Sequence, residues 1–142
     1  ANAPELQKRV DELSLHDCIE FTGALSGSEL DVQYGRADMA LGALGNHRRK
    51  VFANSSLKAK EYAARGMIMV LSDAEGIEKE ILESSYVVKS DESPIDFSAI
   101  VAWYTKIQDK KKMRDTIHEY AVAHYSWDNQ IRKILAEFYR RH

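Results

Sequence analysis

Several absences narrow the reading first. Cys18 is the only cysteine in 142 residues, so no intrachain disulfide can form, which fits a reducing compartment. Cys18 precedes Ile19 and Phe21 in an expected strand, where its simplest role is that of a buried structural thiol. No apolar run reaches the ~18 residues that a membrane span needs. The N-terminal residues also lack the basic-then-apolar pattern of a signal peptide, so a cytoplasmic location is expected. The formal net charge of −2 carries none of the basic excess of a bulk nucleic-acid binder, and nucleic acid is not an expected partner. His118 and His124 are six residues apart, hence on different helix faces, and no second histidine stands at i+4. No metal site and no cofactor are expected, and both histidines read as helix-surface residues. Neither a Gly-rich dinucleotide fingerprint nor a Walker A pattern is present. No Ser/His/Asp arrangement can be read from spacing alone.

What remains is an ordinary globular composition, 44% hydrophobic and 30% charged, in one domain's length. Pro4 to Leu13 starts as a helix, with Leu6, Val10 and Leu13 as its stripe. Cys18 to Thr22 reads as a short strand closed by Gly23. Ser26-Gly27-Ser28 then caps a helix from about Glu29 to Arg36. Met39-Ala40-Leu41 is an expected buried strand, followed by a long loop holding Gly42, Gly45 and the basic cluster His47, Arg48, Arg49 and Lys50. Later come a weak helix over Ile77 to Glu83, a strand at Tyr86-Val87-Val88, and a polar loop from Lys89 to Pro94. Ile95 to Gln108 is amphipathic, with Phe97, Ile100, Val101, Tyr104 and Ile107 on one face. Lys110 to His124 continues helically, with Met113, Ile117, Tyr120 and Ala121 in register. Ser126 caps a last helix whose stripe is Ile131, Leu135 and Phe138, and Trp127 and Trp103 read as core anchors. Alternating strands and helices predict an α/β fold, a Rossmann-like parallel sheet with flanking helices and a helical C-terminus. The first element is a helix with no strand before it, which suggests a piece of a longer α/β protein.

The most informative stretch runs from Asn54 to Ser72. Asn54, Ser55 and Ser56 suit a helix N-cap. Leu57 to Arg65 lacks Gly and Pro, and Gly66 stands where a helix C′ residue needs positive φ. Met67 to Leu71 is a continuous apolar run, as in a strand covered on both faces. Ala59, Tyr62, Ala63 and Gly66 share one helix side, where small residues allow a close approach to a sheet. Lys58, Glu61 and Arg65 share another. That second face is either a solvated charged surface or part of a nucleotide site. A helix N-terminus offers free N–H groups to a phosphate, and a carboxylate a turn further on can accept a ribose diol. The loop from Gly42 to Ala53 lies beyond a strand's carboxyl end, where α/β proteins bind ligands. Its basic cluster is equally readable as a solvated loop. The run Lys110-Lys111-Lys112 reads as a solvated helix start or as a patch for an acidic partner or membrane surface.

Phe21-Thr22-Gly23, Ala37-Asp38, Leu57-Lys58-x-x-Glu61-Tyr62-x-Ala64-x-Gly66 and Ser126-Trp127 occur in an order that resembles the C-terminal domain of GT-B glycosyltransferases. The similarity is closest to the group 1, GT4-like enzymes of bacterial capsule and surface-polysaccharide synthesis. The resemblance implies a donor-nucleotide domain, with Glu61 on the ribose hydroxyls and Ser56, Leu57 and Lys58 by the diphosphate. Arg48 and Gly45 would lie at the same site. It implies a nucleotide-diphosphate sugar as donor, no metal, and a glycan or lipid-linked acceptor held by a separate N-terminal domain. The parent would act in the cytoplasm, with room for peripheral association at the inner face of the membrane. The sequence departs from the family pattern at Ala53, where a first Glu is usual, and at Ile68, where Pro is usual. The family's first two strands are missing as well. The chain alone is therefore expected to be inactive, its catalytic residues unassigned, with its sheet incomplete, rearranged or completed by strand exchange in an oligomer. Two rival readings stay open: a nucleotide-sugar epimerase of the same fold, and a non-catalytic binding or interaction module.

Overall fold

The structure is a computed structural model that describes residues 3–50, 56–73 and 76–140. Two compact units divide the chain after Arg36.

The first unit holds helices α1 (Ala3–Glu12) and α2 (Gly27–Arg36). Between them, the expected strand at Cys18–Thr22 does not form. The N–H groups of Cys18 and Ile19 both donate to the Leu15 carbonyl at 3.0 Å, closing a turn instead. Strand propensity produces a strand only when a neighbour completes the ladder. Among the described residues none pairs with this segment. The thiol of Cys18 is accordingly exposed rather than buried.

The second unit is mixed α/β. Strands β1 (Met39–Leu41), β2 (Ile68–Ser72) and β3 (Ser85–Val88) form a parallel sheet in that order, with Met39 beside Ile68 and Met69 beside Ser85. The apolar run behaves as its continuity predicts: Ile68 to Leu71 are fully buried in the central strand. Edge strand β1 is less covered than its sequence suggests, since Ala40 is buried but Leu41 is exposed. Flanking helices are α3 (Leu57–Ala64), the short α4 (Lys79–Glu83), α5 (Phe97–Lys106) and α6 (Lys110–Tyr125). The core is completed by Ala59 and Ala63 of α3, Ile81 of α4, Ile100 of α5, and Ile117 and Ala121 of α6. Of the expected α5 face, Ile100 alone is buried, while Phe97 and Val101 are exposed.

Helix α3 makes the expected approach to the sheet at β2 and, beyond it, packs against α6. Gly66 shows why. Its φ is +62°, and a Cβ there would lie 2.7 Å from the Arg114 carbonyl oxygen of α6. Gly66 N–H donates to Ala63 and Met67 N–H to Tyr62, both at 2.9 Å, the paired bonds of a Schellman C-cap.

The last helix, α7 (Trp127–Arg140), starts after Ser126 as its cap residue predicts. Asn129 and Gln130 donate side-chain hydrogen bonds to the terminal carbonyls of α6. Its apolar stripe is not core. Trp127 is 81% exposed, and Ile131, Leu135 and Phe138 are also exposed. Trp103 is half-buried, edge-on to Tyr86 at 5.6 Å. No described helix is long and apolar enough to cross a membrane.

Candidate functional site at the carboxyl end of the sheet

All three strands are parallel, so the segments that follow them emerge on the same side. After β1 the chain makes a single 3-10 turn, Asn46–Arg49, closed by Lys50 at φ +55°. After β3 comes the loop 89–96, which Asp73 at the end of β2 anchors by accepting from Ser90 N–H at 2.8 Å. The two segments meet in one ion-paired cluster. Glu92 accepts from Arg48 Nε at 3.0 Å and Nη2 at 2.7 Å, a two-pronged contact. His47 Nε2 lies 3.1 Å from the same carboxylate. The hydrogen bond from Arg48 holds the Glu92 carboxyl below the usual range, and the same contact raises the guanidinium. The neighbouring Asp91 is also lowered, chiefly by hydrogen bonds from Ser93. A cleft of about 410 Å³ opens here, lined by Leu44, Gly45, His47, Arg48, Glu92 and Phe97 among others. That volume is within the range of small-ligand sites.

The unpaired polar atoms of the second unit converge on the same end. Among the described residues, four buried side-chain atoms lack a hydrogen-bond partner: Asn46 Nδ2, His47 Nδ1, Ser72 Oγ and Ser90 Oγ. Asn46 and His47 belong to the turn after β1, Ser72 is the last residue of β2, and Ser90 follows β3. Buried polar groups are nearly always paired. Several unsatisfied at the mouth of one sheet mark a place where an additional polar group fits.

Helix α3 also begins at this end, because it follows β1 and precedes β2. Ser56 is its N-cap, as read from the sequence, and its Oγ accepts from Ala59 N–H at 3.3 Å. The cap takes the third N–H of the helix, and those of Leu57 and Lys58 have no intrahelical acceptor. Leu57 is 82% exposed, and Lys58 is exposed too. Glu61, one turn on, pairs with Arg65 at 3.6 Å rather than with Lys58. Of the six candidates, Gly45 and Arg48 line the cleft. Ser56, Leu57, Lys58 and Glu61 lie along the start of α3. Ala53, Asn54 and Ser55 lie outside the described residues. Gly45 has φ −100° and open space around a would-be Cβ, so its backbone makes no demand for glycine.

Sequence reasoning missed Glu92. A carboxylate in a polar loop 44 residues from Arg48 carries no local signal of its partner. It also missed Tyr104, whose hydroxyl donates to Asp38 at 2.9 Å beside β1. The two histidines of α6 are exposed as expected, with His118 Nδ1 2.7 Å from the Ala64 carbonyl. The lysine run is largely solvated surface: Lys111 pairs with Asp115 at 2.6 Å, and Lys110 lies over the Tyr104 ring. No group of three or more metal-ligating side chains occurs among the described residues.

The class defined by this geometry is an α/β domain with a three-stranded parallel sheet and, at its carboxyl end, a cleft lined by charged and apolar side chains. Compared with protein-family models, curated proteins and solved structures, the chain matches none.

Proposed function

We propose that this chain supplies the donor-nucleotide half of a retaining, metal-independent GT-B glycosyltransferase of the group 1 kind. The parent would transfer a sugar from a nucleotide diphosphate to a glycan or lipid-linked acceptor in surface-polysaccharide synthesis. The observation that carries the reading is the gathering of unpaired polar atoms at the carboxyl end of the parallel sheet, beside a cleft and at the end where a capped helix starts. In this assignment the N–H groups of Leu57 and Lys58, the Lys58 ammonium and Arg48 face the diphosphate, and Glu61 accepts the two ribose hydroxyls. Their chemical contribution is electrostatic: donors and cations fixed in place stabilise the charge that develops on the leaving diphosphate. Acceptor and catalytic groups belong to a second domain across the cleft.

A second reading, a non-catalytic interaction module of the same fold, draws support from one observation. Arg48 and Glu61 each already have an internal ionic partner, Glu92 and Arg65 respectively.

Calorimetric titration of the full natural chain with UDP- and GDP-sugars separates the two. Glu61→Ala removes two charge-assisted hydrogen bonds and is expected to weaken binding by roughly tenfold to a hundredfold. Absence of any nucleotide binding, or an unchanged affinity in Glu61→Ala, rejects the donor-site assignment.

A further inference from the structure

We infer that Glu92 is an internal, displaceable occupant of the Arg48 cation site, an autoinhibitory carboxylate that an incoming phosphate-bearing ligand must replace. The inference rests on the reading of this cleft as a phosphate site and concerns how that site is regulated.

The contact has the form of a ligand's contact. Glu92 engages Arg48 through both carboxylate oxygens, at 3.0 and 2.7 Å, the two-pronged geometry a phosphate would use. The same carboxylate reaches His47 Nε2 at 3.1 Å, so a single anion engages both side chains. Glu92 comes from the loop 89–96 and not from the segment that carries the cations. This loop is held at its base, where Ser90 N–H donates to Asp73, and is shaped at its tip, where Asp91 accepts from Ser93 N–H. Between those two anchors Glu92 extends with its side chain 68% exposed. It can therefore leave without any core contact being broken. Withdrawal would leave Arg48 and His47 without their anion on the cleft wall, where Lys89 is a third nitrogen base. His47 Nδ1 and Asn46 Nδ2, buried and unpartnered, belong to the same turn as Arg48. A bound anion that reorders this turn can satisfy them, which Glu92 does not.

Glu92→Gln tests the inference, because it keeps shape and removes the competing charge. Binding of inorganic pyrophosphate and of UDP is measured by calorimetry at fixed ionic strength, in the full natural chain. Pyrophosphate affinity is expected to rise roughly two- to fivefold in Glu92→Gln, the scale on which an exposed ion pair can compete. The gain is expected to vanish when Arg48→Ala is added. Asp91→Asn removes an equal charge from the same cleft without touching Arg48, and is expected to give a smaller gain. An equal gain in Asp91→Asn, a gain that survives Arg48→Ala, or no difference between wild type and Glu92→Gln overturns the inference. So does failure of every variant to bind pyrophosphate. Pyrophosphate binding that strengthens in Glu92→Gln while UDP binds neither protein upholds the inference and rejects the nucleotide reading alone. UDP binding of equal strength in both proteins does the reverse.

Discussion

Replacing Gly66 by alanine tests the packing logic of the second unit at its tightest point. Gly66 ends α3 with φ +62°, a region where an L-residue costs roughly 1–2 kcal/mol. The added methyl would also stand 2.7 Å from the Arg114 carbonyl oxygen and 3.4 Å from the His118 Cβ. The nearest of these is backbone, so no side chain can swing away, and α3 and α6 must separate. Overpacking of that kind costs roughly 1–3 kcal/mol. Against both stands the lower chain entropy of unfolded alanine, worth about 0.4–1 kcal/mol. The net expectation is a loss of roughly 1–4.5 kcal/mol, a large share of a small domain's stability. Urea unfolding followed by circular dichroism reads it as a lower midpoint at unchanged slope. Gly45→Ala is the matched control. With φ −100° and nothing within 4 Å of its Cβ position, it is expected to stay within about 0.5 kcal/mol of wild type. A loss below about 1 kcal/mol in Gly66→Ala, or an equal loss in Gly45→Ala, refutes the reasoning.

Two further expectations concern the aromatic residues. Burial, reinforced by a hydrogen bond to Glu78, pushes the Tyr125 phenol well above its ordinary value. The folded state then holds its proton more tightly than the unfolded one. The resulting stabilisation is complete below the unfolded tyrosine value of about 10 and is lost as pH rises above it. An ultraviolet titration of folded protein should show a late tyrosinate step that Tyr125→Phe removes; a normal titration of Tyr125 contradicts the assignment. Trp127 is 81% exposed while Trp103 is half-buried beside Tyr86. In single-tryptophan variants, acrylamide should quench Trp127 strongly and Trp103 weakly. Equal protection of both would mean that the face of α7 is covered in solution.

Much of the second unit could be read from the chain because the relevant signals are local. Ser56 caps α3 because its hydroxyl reaches a backbone N–H three residues on, and Gly66 ends the helix because its own φ must be positive. The apolar run at β2 needed only its continuity to declare burial on both faces. For the candidate site, the sequence pointed to the loop after β1 and the start of α3. It did not bring Glu92 to Arg48, because that pairing spans loops at the ends of β1 and β3, and only the parallel register sets them side by side.

The failures have the same origin. Cys18–Thr22 has strand composition but no neighbouring strand, and a ladder needs two members. The stripe of α7 has a helical period and remains exposed, since periodicity specifies a face without specifying what covers it. The sequence by itself determined where most of the helices and the strands of the second unit lie, and which residues are apolar enough to be buried. Tertiary structure alone decided which of those faces found partners, and which distant charges came within hydrogen-bond reach. Caps and periodicities act over three or four residues, whereas burial and ion pairing depend on what the rest of the chain brings alongside.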